Sequence, residues 1–367
     1  MITDNKKGLY IHVPFCAKKC PYCDFFSVKF SQQGADIYTD RVCQTLTEKE
    51  GLCFDTLYFG GGTPSLLGAE RIARIIQTAD VLPDSEITVE CNPSDTGAVG
   101  SRFDFEMLAK AGVNRISLGL QSAVDSERKA LGRQSGTENV ARAVSRAKEA
   151  GINNISLDLM LGIPGQTKAS LKESLDFCIG SGATHVSAYM LKIEEGTPFF
   201  EMSDTLNLPD EDAVCYLYSF ACRTLESAGF EQYEISNFAK NGYESRHNLK
   251  YWRCEEYLGV GAAAHSFLNG RRFYYEADID AFIGGAKPVD DGEGGDFEEY
   301  AMLALRLKEG LSRKKTLERF GFDIPEKVIK KAAEFAKHGL VTDNGDSISL
   351  TQNGYLISNT IIADLIL

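Results

Sequence analysis

Three cysteines, Cys16, Cys20 and Cys23, carry the spacing Cys-x3-Cys-x2-Cys in the run Tyr10-Ile11-His12-Val13-Pro14-Phe15-Cys16-Ala17-Lys18-Lys19-Cys20-Pro21-Tyr22-Cys23. Clustered thiolates at such short spacing hold zinc or iron–sulfur clusters. Structural zinc takes four ligands, and His12 is the only near candidate for a fourth. A cubane cluster has four irons, so three thiolates leave one iron without a protein ligand, free to take a small guest. The spacing therefore predicts a [4Fe–4S] cluster with one open corner, and Tyr22 is placed to shield one of its faces. The other seven cysteines (Cys43, Cys53, Cys91, Cys178, Cys215, Cys222 and Cys254) are scattered, and each reads as a small buried hydrophobe.

The elements that must position these thiols are legible around them. Short β-type runs occur at Leu9–Phe15, Thr56–Phe59, Glu86–Cys91, Arg115–Leu120, Asn154–Leu161 and His185–Leu191. Between them, Ala69–Ala79, Phe103–Ala111, Glu138–Ala150 and Ala169–Gly180 show apolar spacing of three and four, the mark of amphipathic helices. Gly112, Gly151 and Gly182 fall where such helices would stop. Strand and helix in alternation imply a parallel sheet. The residues suited to chemistry follow the strands, with the cysteines after the first, Gly60-Gly61-Gly62-Thr63 after the second and Asn92-Pro93 after the third. Gln121 ends the fourth, and Asp158 lies within the fifth. Chemistry in α/β folds gathers at the carboxyl ends of strands. Six strands contributing to one rim fit a partial (β/α)6 barrel better than the crevice of a doubly wound sheet.

The rhythm breaks after about residue 195. A helix near Pro209–Ser227 leads to Tyr233–Phe238, His247–Trp252 and the Gly-rich Tyr257–Phe267. The predicted organisation is a barrel over 1–195, an extension over 196–284, a linker over 285–295 and a small helical, winged-helix-like domain over 296–367. Its hairpin is Val341–Leu350, turning at Asn344-Gly345. Winged helices often bind DNA, but this segment has 10 Lys and Arg against 11 Asp and Glu. The whole chain, 367 residues, carries a net charge of −13, which excludes a general binder of nucleic acid, because phosphate affinity comes from Lys and Arg. Hydrophobic content of 43% with 25% charged residues is that of a globular protein with an ample core. The start, Met1 to Lys7, has no apolar signal core, and no run reaches the roughly 18 apolar residues of a membrane span. The expected location is the cytoplasm, where thiols stay reduced.

Together the motifs resemble those of the radical S-adenosylmethionine superfamily. The wider set Tyr10-x-His12-x-Pro14-Phe15-Cys16, Gly60-Gly61-Gly62-Thr63-Pro64, Asn114-Arg115-x-Ser117-x-Gly119-x-Gln121-Ser122 and Asp158-Leu159-x-x-Gly162-x-Pro164-Gly165-Gln166-Thr167 is similar to its anaerobic coproporphyrinogen III oxidase group. The resemblance implies that S-adenosylmethionine chelates the open iron, and that one electron from the cluster cleaves its sulfonium bond to give a 5′-deoxyadenosyl radical. It implies cofactor contacts at Tyr10, Tyr22, Gly61, Gly62, Thr63, Glu90, Gln121, Arg133 and Asp158. Glycines let backbone carbonyls approach an ammonium, Arg133 suits a carboxylate, and Glu90 or Asp158 suits hydroxyl or ammonium donors. The alternative is that the glycines only shape a tight turn and the carboxylates cap helices.

Two departures separate the chain from the oxidases it resembles. They carry a fourth cysteine where Phe25 stands here, and an N-terminal extension over the substrate, whereas here the cluster motif comes almost at once. Both match the heme-chaperone branch of the group. That branch also carries His-Asn-x-x-Tyr-Trp, present here as His247, Asn248, Tyr251 and Trp252. An imidazole can ligate heme iron, and Tyr and Trp offer flat apolar surface to a porphyrin. On their own the six residues read as a satisfied histidine among aromatic core side chains; the resemblance implies a heme site. His265 and Cys254 rank behind them. The implied partners are heme and a recipient hemoprotein, respiratory and membrane-associated, with a homodimer as a further expectation. The rival reading is an enzyme acting on coproporphyrinogen III or another tetrapyrrole. The basic run Arg306, Lys308, Arg313, Lys314, Lys315 and Arg319 reads as a solvated face, with anionic lipid or heme propionates as its alternative ligands.

Overall fold

The computed structural model describes residues 6–49, 51–101 and 103–366; the polar start Met1 to Asn5 lies outside the described residues. Six strands, β1 (Lys7–Val13), β2 (Phe54–Gly61), β3 (Val81–Cys91), β4 (Arg115–Gln121), β5 (Asn154–Leu161) and β6 (His185–Met190), pair in parallel and in chain order. Helices follow them: α1 (Gln32–Thr47), α2 (Ala69–Thr78), α3 (Phe105–Lys110), α4 (Thr137–Glu149), α5 (Lys168–Gly180) and α6 (Glu211–Ser227). Right-handed crossovers that keep every helix on one face give consecutive order and let the sheet curl around its other face. A doubly wound sheet would reverse its order midway. The partial barrel expected from the sequence is what forms.

The sheet stays open, and later segments extend both edges. Beyond β6 come β8 (Asn237–Ala239) and, outermost, β7 (Glu231–Gln232), both antiparallel to their neighbours. Between β8 and the next strand lies α7 (Arg246–Trp252). On the other side, β9 (Tyr257–Val260) pairs parallel to β1 and is followed by β10 (His265–Leu268), β11 (Arg271–Tyr274) and β12 (Val289–Glu293) in antiparallel order. Residues 285–295, expected to form a linker, thus contain a strand of the main twelve-stranded sheet. Its acids and glycines hid it, because an edge strand needs backbone pairing more than apolar side chains.

Alternation along the strands divides the core. Leu9, Ile11, Val13, Leu57, Phe59, Val89, Ile116, Leu118, Ile155, Leu157 and Val186 pack toward the helices. The intervening residues line the hollow and are largely polar: Thr56 and Tyr58, Thr88 and Glu90, Arg115 and Ser117, Ser156 and Asp158, His185 and Ser187. At the amino ends of the strands α7 stops the hollow. Glu86 of β3 caps this helix, accepting the backbone N–H of Arg246 and of His247, each at 3.0 Å.

The C-terminal domain runs α8 (Phe297–Ala304), β13 (Leu311–Ser312), α9 (Arg313–Phe320), α10 (Glu326–Lys337), a hairpin of β14 (Val341–Asp343) and β15 (Ser347–Leu350), and later α11 (Ser358–Ile366). Its three strands lie in the order β13-β15-β14, so the winged-helix pattern is present. Arg319 ties it to the barrel, donating to the carbonyls of Arg253 (3.1 Å) and Cys254 (2.8 Å).

Candidate functional site

The cysteine loop leaves the end of β1 and returns along a short parallel pairing of Phe15–Cys16 with Val28–Lys29. Within it the Cys23 N–H donates to the Cys20 carbonyl at 3.2 Å, closing a turn. The three sulfurs face a common space. Burial pushes the Cys23 thiol up, and the neighbouring Cys20 and Cys16 thiols push the same way. Cys16 Sγ lies 3.5 Å from Thr63 Oγ1, which joins the loop to the turn after β2. All ten cysteines are free. Of the scattered seven, Cys43, Cys91, Cys178, Cys222 and Cys254 are buried as expected, whereas Cys53 and Cys215 are half-buried. His12 is no fourth ligand, because Nδ1 hydrogen bonds the Tyr10 hydroxyl and Nε2 pairs with the Phe26 carbonyl, each at 3.1 Å. Three thiols of one loop lining a shared cavity suit a cluster held at three corners.

The thiols open on a cavity of about 480 Å³ that runs down the hollow, within the range of roughly 300–1,000 Å³ for small-molecule sites. Eight of the nine expected cofactor residues line it, namely Tyr22, Gly61, Gly62, Thr63, Glu90, Gln121, Arg133 and Asp158. Tyr10 does not. Its ring lies behind the wall beside Tyr58 and His247, at 6.3 and 6.5 Å between centroids. The glycines are required by space. At Gly61 φ is +106°, and a Cβ would meet His12 Cε1 at 2.6 Å; at Gly62 it would meet the Phe15 carbonyl oxygen at 2.7 Å. Phe25, 62% exposed, stands at the mouth.

Charge deep in the cavity is shaped by burial. Glu90 accepts from the Tyr58 hydroxyl at 2.7 Å, yet burial pushes its carboxyl up to about 7. Burial likewise raises Asp158, against the pull of the Ser187 and Ser117 hydroxyls and of Arg115. The Arg133 guanidinium donates to the Tyr22 hydroxyl at 3.1 and 3.3 Å. Sequence reasoning did not single out Tyr58, Arg115, Ser117, Ser187 or Tyr189 as cavity residues, although all five line it. The signal was present as polar residues at every second position of strands that burial on both faces should have made apolar.

The four expected heme residues sit at the closed end, remote from the cysteines. His247 is 0% exposed; its Nδ1 pairs with Thr56 Oγ1 (2.8 Å) and its Nε2 with the Tyr251 hydroxyl (2.7 Å). Its ring stacks on Tyr58 at 5.2 Å, and burial lowers it to about 3, so it is neutral. Neither nitrogen is free for iron in this arrangement. Asn248 reaches the cavity, Tyr251 is occupied by His247, and Trp252 is half-buried with the Arg306 guanidinium 5.9 Å from its ring. His265 is exposed and stacked on Tyr274, and Cys254 is buried. The basic run is largely engaged. Arg313 pairs with Asp323, Lys314 with Glu318, and Lys315 with Glu309, while Arg319 serves the domain junction.

The fold and the three-cysteine site define a radical S-adenosylmethionine protein. Residues 10–178 match the model of the Radical SAM superfamily, and residues 296–357 match that of the HemN C-terminal domain. The chain is 34% identical to the heme chaperone HemW of Bacillus subtilis, over 97% of this chain and 98% of that one. It is 33% identical to HemW of Escherichia coli, over 97% of each. The chain belongs to the HemW family. In structure it is similar to the E. coli coproporphyrinogen III oxidase HemN, with a TM-score of 0.81 at 20% identity, covering 100% of this chain and 91% of that one. Among the described residues no helix is long and apolar enough to cross a membrane.

Proposed function

We propose that the protein is a heme chaperone that holds a [4Fe–4S] cluster and S-adenosylmethionine, binds heme and passes it to a recipient hemoprotein. The observation that carries the cofactor reading is that the three thiols of one short loop, Cys16, Cys20 and Cys23, share one cavity with Gly61, Gly62, Glu90, Gln121, Arg133 and Asp158. Cys16, Cys20 and Cys23 would hold three irons. Together the cluster and the sulfonium cofactor supply one-electron chemistry when bound.

The chain's own residues bind and orient. Among the described residues the Arg133 side chain hydrogen bonds the Tyr22 hydroxyl alone, which leaves guanidinium donors for the methionine carboxylate. Glu90 and Asp158 offer acceptors to ammonium or hydroxyl groups. An ammonium beside Glu90 would draw its proton off, because opposite charge favours the ionised carboxyl. Gly61 and Gly62 keep the wall beside the thiols at backbone depth. Phe25 stands at the mouth in place of a further thiol.

The heme part rests on relatives named for that role across nearly the full length. The test is anaerobically reconstituted protein titrated with heme and then mixed with an apo-hemoprotein. Heme bound and then transferred supports the reading. Conversion of coproporphyrinogen III to protoporphyrinogen IX at catalytic turnover, with reductant and S-adenosylmethionine, would replace it with the enzyme reading.

A further inference from the structure

One buried guanidinium in the cavity faces carboxylates but bonds none of them with its Nε or Nη1. Arg115 opens β4 with its side chain in the hollow, and it is 1% exposed. Its Nε and Nη1 are buried and lack any hydrogen-bond partner, and among the described residues it makes no ion pair. The neighbouring carboxylates are otherwise committed. Glu86 accepts from the backbone of α7, and Asp158 accepts from Ser117 at 3.0 and 3.1 Å and from Ser156 at 3.3 Å. A buried guanidinium left without acceptors is strongly unfavourable, so native chains keep one where a partner arrives.

The position of Arg115 narrows what that partner is. It lines the same cavity as the thiols but sits at the start of its strand, whereas Gln121 and the cysteine loop lie at the carboxyl ends. Six residues of strand, about 20 Å of backbone, separate Arg115 from Gln121, although the guanidinium lies close enough to act on Glu90 and Asp158. Asn248, from the N-terminal half of α7, lines the cavity as well. S-adenosylmethionine has one carboxylate, and Arg133 near the thiols is the cation suited to it. Arg115 is therefore matched to a carboxylate of a different guest.

We infer that Arg115, in a cavity that Asn248 also lines, forms a carboxylate-receiving subsite, and that the carboxylate is a propionate arm of the tetrapyrrole. This rests on the heme reading above. A propionate is a two-carbon tether ending in a planar carboxylate, which a guanidinium fork accepts in two parallel bonds. The narrow hollow then takes an arm, with the macrocycle outside it. Asn248 would act in heme recognition through this cavity, while His247 behind it acts as a strut.

The experiment compares heme with heme dimethyl ester, identical in iron and ring but lacking the propionate charges. Binding is measured by absorbance titration of cluster-loaded wild type, Arg115→Gln and Arg115→Lys, and S-adenosylmethionine binding by equilibrium dialysis. Wild type is expected to prefer the free acid by about tenfold to a hundredfold, as befits a charge-assisted pair. The preference should collapse in Arg115→Gln and recover in part in Arg115→Lys. Equal binding of acid and ester by wild type would overturn the subsite and spare the heme reading. So would a preference that survives in Arg115→Gln, or a loss confined to S-adenosylmethionine, which would assign the carboxylate to that cofactor. If neither porphyrin binds the wild type, the heme reading and the subsite fall together.

Discussion

Glu90→Gln should make the protein more stable and less able to hold its cofactor, with a pH signature that identifies the cause. Burial moves the Glu90 carboxyl from its ordinary 4.5 to about 7. Each tenfold in proton affinity corresponds to about 1.4 kcal/mol, so keeping Glu90 ionised inside the fold costs up to about 3 kcal/mol. Water in the cavity lessens this to ~1–3 kcal/mol. Below pH 4.5 the group is protonated in folded and unfolded chains alike and does not affect the balance. Between 4.5 and about 7 only the folded chain holds the proton, so wild-type stability falls as pH rises, and above about 7 the full cost is present. Glutamine cannot ionise and escapes the cost. Urea unfolding followed through Trp252, the sole tryptophan, should therefore show variant and wild type converging near pH 5 and separating by ~1–3 kcal/mol near pH 8. S-adenosylmethionine affinity should fall in the same variant, the usual opposition between stability and function at a binding site. A gap that does not change with pH, or a wild type more stable at pH 8, would refute the reasoning.

Removing the His247 ring deletes hydrogen bonds to Thr56 and Tyr251 and a stacking contact with Tyr58, so His247→Ala should lose about 2–4 kcal/mol in urea unfolding. A loss below about 0.5 kcal/mol would show that the ring is no strut. Gly61→Ala places a Cβ against His12 at a φ of +106°, and iron content after reconstitution together with S-adenosylmethionine binding should both drop. Unchanged values of both would disprove the close-packed mouth. Arg319→Met removes both donors to the carbonyls of residues 253 and 254. Limited proteolysis should then release the C-terminal domain about tenfold faster, and an unchanged rate would mean the junction is held elsewhere.

The barrel was legible because its strands are apolar on the helix side and its helices keep a strict apolar stripe. Ala69–Ala79 was expected and Ala69–Thr78 is found; Asn154–Leu161 was expected and found. The strand Val289–Glu293 was not legible, since its sequence Val-Asp-Asp-Gly-Glu carries no apolar alternation and is held by backbone pairing and the Arg271–Asp290 ion pair. In the site, residues joined by local motifs were visible, such as Cys16 with Cys20 and Gly61 with Gly62. Arg115 was quoted within a motif but given no role, because its isolation is a three-dimensional fact: only the fold shows that Glu86 and Asp158 are engaged by other donors. The same holds for His247, whose identity suggested a metal ligand while Thr56, from a distant strand, occupies its nitrogen.

The pairing of Tyr10 with Gly259 has a consequence for synthesis. The outer edge of the first strand finds its neighbour only after roughly 250 further residues have been made, and at about 5–20 residues per second that is some tens of seconds on the ribosome. Throughout that interval the nascent sheet exposes unpaired amides right beside the three thiols. Attachment of iron and sulfur before β9 arrives would have to occur on a half-covered edge, so cluster insertion is best timed after the chain is released.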